Sequence, residues 1–126
     1  MVTEEARSAL YVALAYHRAW TSNDFERAMT FIAPDIVCLA PAGRIVGAEA
    51  FRAFMGPFAQ ILTRSELLSA FGDRSTAVLI YDTDTIPVKN APAAEYLTVR
   101  NGLIVAMRII FDRAPFDAAR RAAGQG

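Results

Sequence analysis

The first half of the chain has the hydrophobic periodicity of helices. Apolar residues recur at helical spacing over residues 3–20, 23–32 and 48–62, which predicts three helices. Thr3, followed by two glutamates, is a suitable N-cap for the first helix. Pro57 lies inside the third, where we expect it to kink or shorten the helix.

After residue 62 the period changes from 3.6 to about 2, the period of strands. Strands are predicted over residues 64–71, 75–86 and 94–112, and the last range contains the hairpin signal Asn101-Gly102. An earlier short strand is predicted over 35–40, followed by a turn and an edge segment.

The order of these elements predicts an α+β fold. Helices come first and a mostly antiparallel sheet follows, so we expect the helices to pack on one side of a curved sheet. With 126 residues and no internal repeat or linker, the chain is predicted to be one domain spanning 1–126. The tail, residues 113–126, either forms a short terminal helix or is loose.

Composition narrows the classes of partner. Thirteen basic residues balance thirteen acidic ones without a basic run, which argues against nucleic acid and against anionic membranes. The single cysteine, Cys38, cannot form an internal disulfide, and no spacing typical of a zinc site is present, so we expect a cytoplasmic protein without a metal. No apolar run approaches the length of a membrane span. The 54% hydrophobic content predicts a subunit interface, a ligand cavity or both.

The end of the first helix carries the first candidate chemistry. At 100° per residue, Tyr16, His17 and Trp20 fall on the same face as the small apolar residues of this helix, so their rings should point inward. Tyr16 could donate a hydrogen bond into a pocket, or it could be a core tyrosine bonded to a carbonyl or water. His17 could act as acid or base near neutrality, or it could be a helix-end histidine satisfied by solvent or a carboxylate.

The element order, with "PAGRIVGAEAFRAFM" after the first strand and "NGLIVAMRIIFD" closing the sheet, resembles the nuclear-transport-factor-two-like superfamily. Within it, residues 5–112 are similar to the SnoaL-like and ketosteroid-isomerase-like branch. The resemblance implies a cone-shaped, strongly bent sheet with three N-terminal and intermediate helices closing an apolar pocket, and a homodimer formed through the sheet. It implies isomerisation, aldol-type cyclisation, dehydration or epoxide hydrolysis, or no chemistry at all.

The resemblance to the ketosteroid isomerases covers part of their site. Tyr16 precedes Asp24 by the eight residues that separate the oxyanion-binding tyrosine from the start of the second helix in that family. Glu95 aligns with their second donor, a protonated carboxylic acid. Ala40, before Pro41, stands where their aspartate base would be and cannot accept a proton.

A similarity to limonene-epoxide-hydrolase relatives is also incomplete. Asp82 and Asp84 lie two apart on one face of a strand, but no arginine joins them there, and Ile109 stands at the position of the last-strand aspartate. Mutual repulsion could raise the pKa of one carboxyl and make it a base. Alternatively, both aspartates face water near a strand end.

Two functions follow from these residues. The first is an enzyme that uses acid/base chemistry without a metal or organic cofactor on a small, mainly apolar molecule. The second is a binding or dimeric assembly protein of the same fold. The predicted catalytic residues are Tyr16, Glu95, Asp82 and His17, and the predicted substrate-binding residues are Trp20, Cys38, Phe54, Phe58, Met107 and Phe111.

Overall fold

A computed structural model describes residues 8–125. The first helix, α1, spans Ala9–Thr21, and its cap is Ser8, whose hydroxyl accepts a hydrogen bond from the Tyr11 amide at 3.3 Å. The predicted cap Thr3 lies outside the described residues. As predicted, the inward face of α1 buries Tyr16, His17 and Trp20.

The second helix is shorter than its periodicity predicted. Helix α2 covers Phe25–Met29 and is capped by Asp24, which accepts a hydrogen bond from the Arg27 amide. Strand β1 begins earlier than predicted, because Ile32 already pairs with Ile104 in the sheet. Ile32, which was predicted to end the second helix, therefore belongs to the sheet.

Helix α3 runs from Ala48 to Ile61 and continues through Pro57, whose side chain is exposed. The expectation of a shortened helix is therefore wrong. Its buried side chains, Phe51 and Met55, face the core, and its last residue leads directly into the sheet.

The sheet has six strands in the order β2-β1-β6-β5-β4-β3. Neighbours are antiparallel except β1 and β6, which are parallel. Irregularities in the pairing of β1 with β6, β3 with β4 and β5 with β6 interrupt the ladder, as in sheets that bend. The strands are β1 Ile32–Ala40, β2 Gly43–Val46, β3 Leu62–Gly72, β4 Thr76–Thr85, β5 Ala91–Arg100 and β6 Leu103–Phe111.

The tight turn between β5 and β6 confirms the hairpin signal. Asn101 and Gly102 both have positive φ, at 54° and 78°, which a two-residue turn of this kind requires. Together, these elements form a curved, unclosed sheet with helices on one side. This is the predicted α+β fold.

We call the side of the sheet that packs against α1 and α3 the inner face. It carries the core side chains Leu79, Leu97 and Met107, whereas Ile80 and Tyr96 alternate with them on the outer face. None of the described helices is long and apolar enough to cross a membrane.

The tail forms a fourth helix, α4, over Ala114–Gln125. It begins after Asp112, which accepts a hydrogen bond from the Ala114 amide at 3.0 Å. Phe116 anchors α4 by packing against Phe58 of α3 and Phe111 of β6, with ring centroids 6.1 and 5.7 Å away. Of the two alternatives for the tail, the structure shows the helix.

Candidate active site

A cavity of about 450 Å³ lies between α3, α4 and one end of the inner face. Its size is within the range of small-molecule sites. Most of its wall is apolar, and the deeper part includes the buried residues Met55, Tyr81, Thr83 and Ile109. The remaining lining residues are Ala40, Pro41, Ala42, Phe54, Pro57, Phe58, Ile61, Ala91, Pro92, Ala93, Phe111, Arg113, Phe116, Asp117 and Arg120.

Tyr81 connects this cavity to a buried carboxyl group. In the register of β4 and β5, Tyr81 is opposite Ala93 and Leu79 is opposite Glu95, so Tyr81 and Glu95 are diagonal neighbours on the inner face. The Tyr81 hydroxyl donates a hydrogen bond to Oε2 of Glu95. Both side chains are almost wholly buried.

Burial makes Glu95 a weaker acid than an exposed glutamate. Desolvation disfavours the carboxylate and raises the pKa of Glu95 to about 7, although the hydrogen bond from Tyr81 acts in the opposite direction. Oε1 of Glu95 is buried and has no hydrogen-bond partner among the described residues. Glu95 can therefore both give and take a proton near neutral pH.

Two phenols and a thiol interact electrostatically with this carboxyl. Burial first, and the charge of Glu95 second, raise the pKa of both Tyr16 and Tyr81 well above 10, so both hydroxyls stay protonated. The same two causes raise the pKa of Cys38 to about 12. We call Tyr16, Cys38, Tyr81 and Glu95 the inner polar cluster.

His17 and Trp20 pack against the Tyr81 ring of this cluster, and neither is charged at neutral pH. Burial, and secondarily the charge of Arg18, lower the pKa of His17 to about 4, which leaves the imidazole neutral at pH 7. Its ring lies 4.7 Å from that of Tyr81 and 5.3 Å from that of Trp20. Nδ1 of His17 and Nε1 of Trp20 are buried without a partner among the described residues.

Half of the predicted substrate-binding residues line the cavity. Phe54, Phe58 and Phe111 do so, but Trp20, Cys38 and Met107 do not. Trp20 is covered by Phe58 and Tyr81, each with a ring centroid 5.9 Å away. Cys38 and Met107 pair across β1 and β6 inside the core.

Three of the predicted catalytic residues also lie behind the wall of the cavity. Neither Tyr16, nor His17, nor Glu95 is among its lining residues. Tyr16 packs against Phe51, 6.3 Å between ring centroids, and its buried hydroxyl has no partner in the described part of the chain. Glu95 is connected to the cavity through Tyr81.

The structure does not bring Asp82 to the cavity. Strand alternation places it on the outer face, away from the cavity that Tyr81 and Thr83 line. Asp84 shares that face, where it accepts hydrogen bonds from Arg64 at 2.8 Å and from the Asn90 amide at 2.7 Å. These partners lower the pKa of Asp84. Its carboxylate therefore stabilises the end of the strand.

Tyr81 is the functional candidate that sequence reasoning missed. The alternation Leu79, Tyr81, Thr83 is visible in the sequence, and it places a phenol on the face opposite the two aspartates. The charged residues of the tail were missed as well, because nothing local indicated that α4 would cover the cavity. Among residues 8–125 no group of three His, Cys, Asp or Glu side chains could hold a metal ion.

The family model of the SnoaL-like domain matches residues 13–107. The chain belongs to this family. A crystal structure of a protein from Kribbella flavida is 63% identical, covers 94% of this chain and 98% of its own, and has a TM-score of 0.90.

More distant structures share the fold. An NTF2-like protein from Cytophaga hutchinsonii is 19% identical over 93% of this chain and 96% of its own, with a TM-score of 0.72. A candidate polyketide cyclase from Sinorhizobium meliloti is 20% identical over 79% of this chain and 93% of its own, with a TM-score of 0.69. The fold is thus that of the nuclear-transport-factor-two-like superfamily. No curated protein matches the sequence.

Proposed function

We propose that the protein is an enzyme that transfers protons to and from a small, mainly apolar molecule held in the 450 Å³ cavity, without an organic cofactor or metal. The observation that carries this proposal is the hydrogen bond between Tyr81, a cavity residue, and Glu95, whose pKa is about 7. A group that titrates near the working pH is suited to general acid/base catalysis.

Tyr81 acts as the relay in this proposal. When Glu95 is protonated, its carboxyl becomes the donor in the hydrogen bond with Tyr81; the Tyr81 hydroxyl then gives its proton to a carbonyl, enolate or epoxide oxygen of the substrate and takes one from Glu95, which becomes the carboxylate. In the reverse direction, Tyr81 takes a proton from the substrate, either from an oxygen or from the carbon beside a carbonyl, while its own hydroxyl proton passes to the Glu95 carboxylate. Because the pKa of Tyr81 is far above neutral, its hydroxyl holds a proton in both resting states. Isomerase, cyclase, dehydratase and hydrolase reactions all use such a step.

The surrounding side chains would make the proton transfer selective. Phe54, Phe58 and Phe111 exclude water from the substrate and bind it by burial of apolar surface. His17 and Trp20 hold the Tyr81 ring from the opposite side. Tyr16 stays protonated, and its hydroxyl, which has no partner among the described residues, would donate a hydrogen bond to the Glu95 carboxylate when it forms.

An exchange experiment tests the proposal without the natural substrate. A panel of apolar ketones, enones and hydroxy ketones is incubated with the protein in deuterated water, and deuterium uptake beside the carbonyl is followed by NMR. We expect enzyme-dependent uptake for at least one member, with a rate controlled by a group of pKa about 7. Tyr81→Phe and Glu95→Gln should each lower that rate by roughly 100-fold or more.

Matched variants on the outer face serve as controls. Tyr96→Phe removes an exposed phenol from β5, and Glu66→Gln removes an exposed carboxyl from β3. Both should retain the wild-type rate. If Tyr81→Phe and Glu95→Gln behave like these controls, the relay is wrong.

One observation favours a second function, the binding of a ligand without chemistry. Ala40, which stands where the isomerases have their base, lines the cavity and presents only a methyl group. Among the described lining residues the one carboxyl is Asp117, which is engaged by two arginines. In that case, members of the panel would bind to the wild-type protein but none would exchange.

We also propose that the protein forms a homodimer through the outer face of the sheet. Large apolar side chains there are exposed and close in register: Ile80 and Ile110 are both opposite Ala94, and Tyr96 is opposite Val78. An apolar surface of this kind is typical of a face covered by a partner. A second copy of the chain offers the matching apolar surface.

A further inference from the structure

The charged residues of the cavity all come from one segment. Among the described lining residues only Arg113, Asp117 and Arg120 are charged, and they lie in α4 or directly before it. The Arg113 side chain is 48% exposed and that of Arg120 is 76% exposed, so this segment forms the part of the rim that faces water. The rest of the wall is almost entirely apolar.

Positive charge is in excess at this rim. Asp117 forms ion pairs with both arginines: its Oδ2 is 3.2 Å from Nε of Arg113, and its Oδ1 is 3.4 Å from a terminal guanidinium nitrogen of Arg120. One carboxylate thus faces two guanidinium groups, which leaves one positive charge uncompensated within the set. Each guanidinium has five N–H donors, so both retain donors after bonding to Asp117.

From this arrangement we infer that the ligand of the cavity is an amphiphilic carboxylate, whose apolar body occupies the cavity and whose anionic group binds to Arg113 and Arg120. The inference rests on the proposed function only in placing the ligand in the same cavity. It adds the substrate class and the residues that determine specificity.

The chemistry of the rim favours a carboxylate over the alternatives. A guanidinium binds a planar carboxylate through two parallel hydrogen bonds, and a single negative charge matches the single excess positive charge. A cationic ligand would be repelled by two arginines, while the acid that could attract it is already engaged by both. A neutral ligand could accept a hydrogen bond at this end of the cavity but would leave the excess positive charge uncompensated.

Binding of three probes with the same apolar body tests the inference. Phenylbutyrate, phenylbutanol and phenylbutylamine are titrated into the full-length protein, with calorimetry as the readout. The fluorescence of Trp20, the single tryptophan, gives a second readout, because it packs on Phe58 and Tyr81 of the cavity wall. We expect phenylbutyrate to bind roughly threefold to tenfold more tightly than phenylbutanol, because the ion pairs at the rim are partly exposed, and phenylbutylamine to bind most weakly.

Substitutions at the rim should remove this preference. In the double variant Arg113→Gln/Arg120→Gln, phenylbutyrate should bind no more tightly than phenylbutanol. Arg121→Gln is the matched control, because Arg121 is an exposed neighbour in the same helix that does not line the cavity, and it should keep the preference. Asp117→Asn frees both arginines and should strengthen phenylbutyrate binding about threefold, which distinguishes a charge effect from a damaged helix.

Each contrary outcome has a defined meaning. Equal binding of phenylbutyrate and phenylbutanol to the wild type would overturn the carboxylate inference and leave the apolar cavity as a binding site. A preference that survives in the double variant would overturn the role of the rim. If no probe binds, the inference fails, while deuterium exchange still decides separately whether Tyr81 and Glu95 transfer protons.

Discussion

At the scale of single residues, two buried groups make the free energy of unfolding depend on pH in opposite directions. Burial raises the pKa of Glu95 from 4.5 to about 7, so between these values the folded chain keeps a proton that the unfolded chain has lost, and stability falls as pH rises. Burial lowers the pKa of His17 from 6.5 to about 4, so between these values the folded chain lacks a proton that the unfolded chain binds, and stability rises with pH. The two effects oppose each other between about pH 4.5 and 6.5.

Glu95→Gln should expose the effect of Glu95. The variant keeps an acceptor for the Tyr81 hydroxyl but removes the titration, so its free energy of unfolding, relative to wild type, should rise by about 3 kcal/mol between pH 4.5 and pH 8. Urea unfolding at a series of pH values measures this difference. Glu66→Gln, at an exposed ion pair with Arg64, should change the difference by less than about 0.5 kcal/mol over the same range. A flat difference for Glu95→Gln would show that the carboxyl is not destabilised by burial.

At the scale of elements, the ring of one residue, Phe116, attaches α4 to the rest of the fold. Phe116 joins α4 to both Phe58 and Phe111, which are walls of the cavity. Because α4 also carries Asp117 and Arg120, its position decides where the charged rim lies.

Phe116→Ala should therefore release α4 without unfolding the sheet. Loss of a half-buried ring removes about 1–2 kcal/mol of local packing, so the amides of residues 114–125 should exchange with deuterated water roughly tenfold faster. Hydrogen-exchange mass spectrometry measures this rate, with β4 and β5 peptides as internal references. Arg121→Ala, an exposed change in the same helix, should leave the rate within about twofold. Equal acceleration in the sheet would mean that α4 is part of the global core.

Local signals predicted the elements better than they predicted the site. The Asn101-Gly102 turn and the inward face of α1 follow from backbone preference and periodicity, and both are present. Alternation correctly placed Asp82 with Asp84, but it could not tell which face would line the cavity, because packing of the helices decides that. For the same reason, the sequence alone did not identify Tyr81 as a cavity residue.

At the scale of the whole molecule, the proposed chemistry and the proposed partner belong to opposite faces of the sheet. Glu95 and Tyr96 are adjacent in β5, yet the first is wholly buried and the second is 47% exposed. The sheet therefore separates the proposed proton relay from the proposed dimer surface. The cytoplasmic location stays a prediction from the sequence.

Charge placed on the outer face should separate the proposed dimer. Ile80→Lys/Ile110→Lys puts two ammonium groups on the exposed apolar surface, where their burial in an interface would be costly. Light scattering after gel filtration should give about twice 13.7 kDa for the wild type and one chain mass for the variant. Ile86→Lys, in the loop after β4, should remain dimeric. A wild-type mass of one chain would refute the dimer.

The inner polar cluster is the feature on which the proposed chemistry depends, and the titration of Glu95 tests it most directly. NMR of protein labelled at the glutamate side-chain carboxyl carbons follows this group, with the signal assigned by its absence in Glu95→Gln. We predict a pKa of about 7 in the wild type and a higher pKa in Tyr81→Phe, because the lost hydrogen bond had stabilised the carboxylate. A pKa near 4.5 in both proteins would contradict the account, since Glu95 would then be an ordinary carboxylate unable to supply a proton near neutral pH.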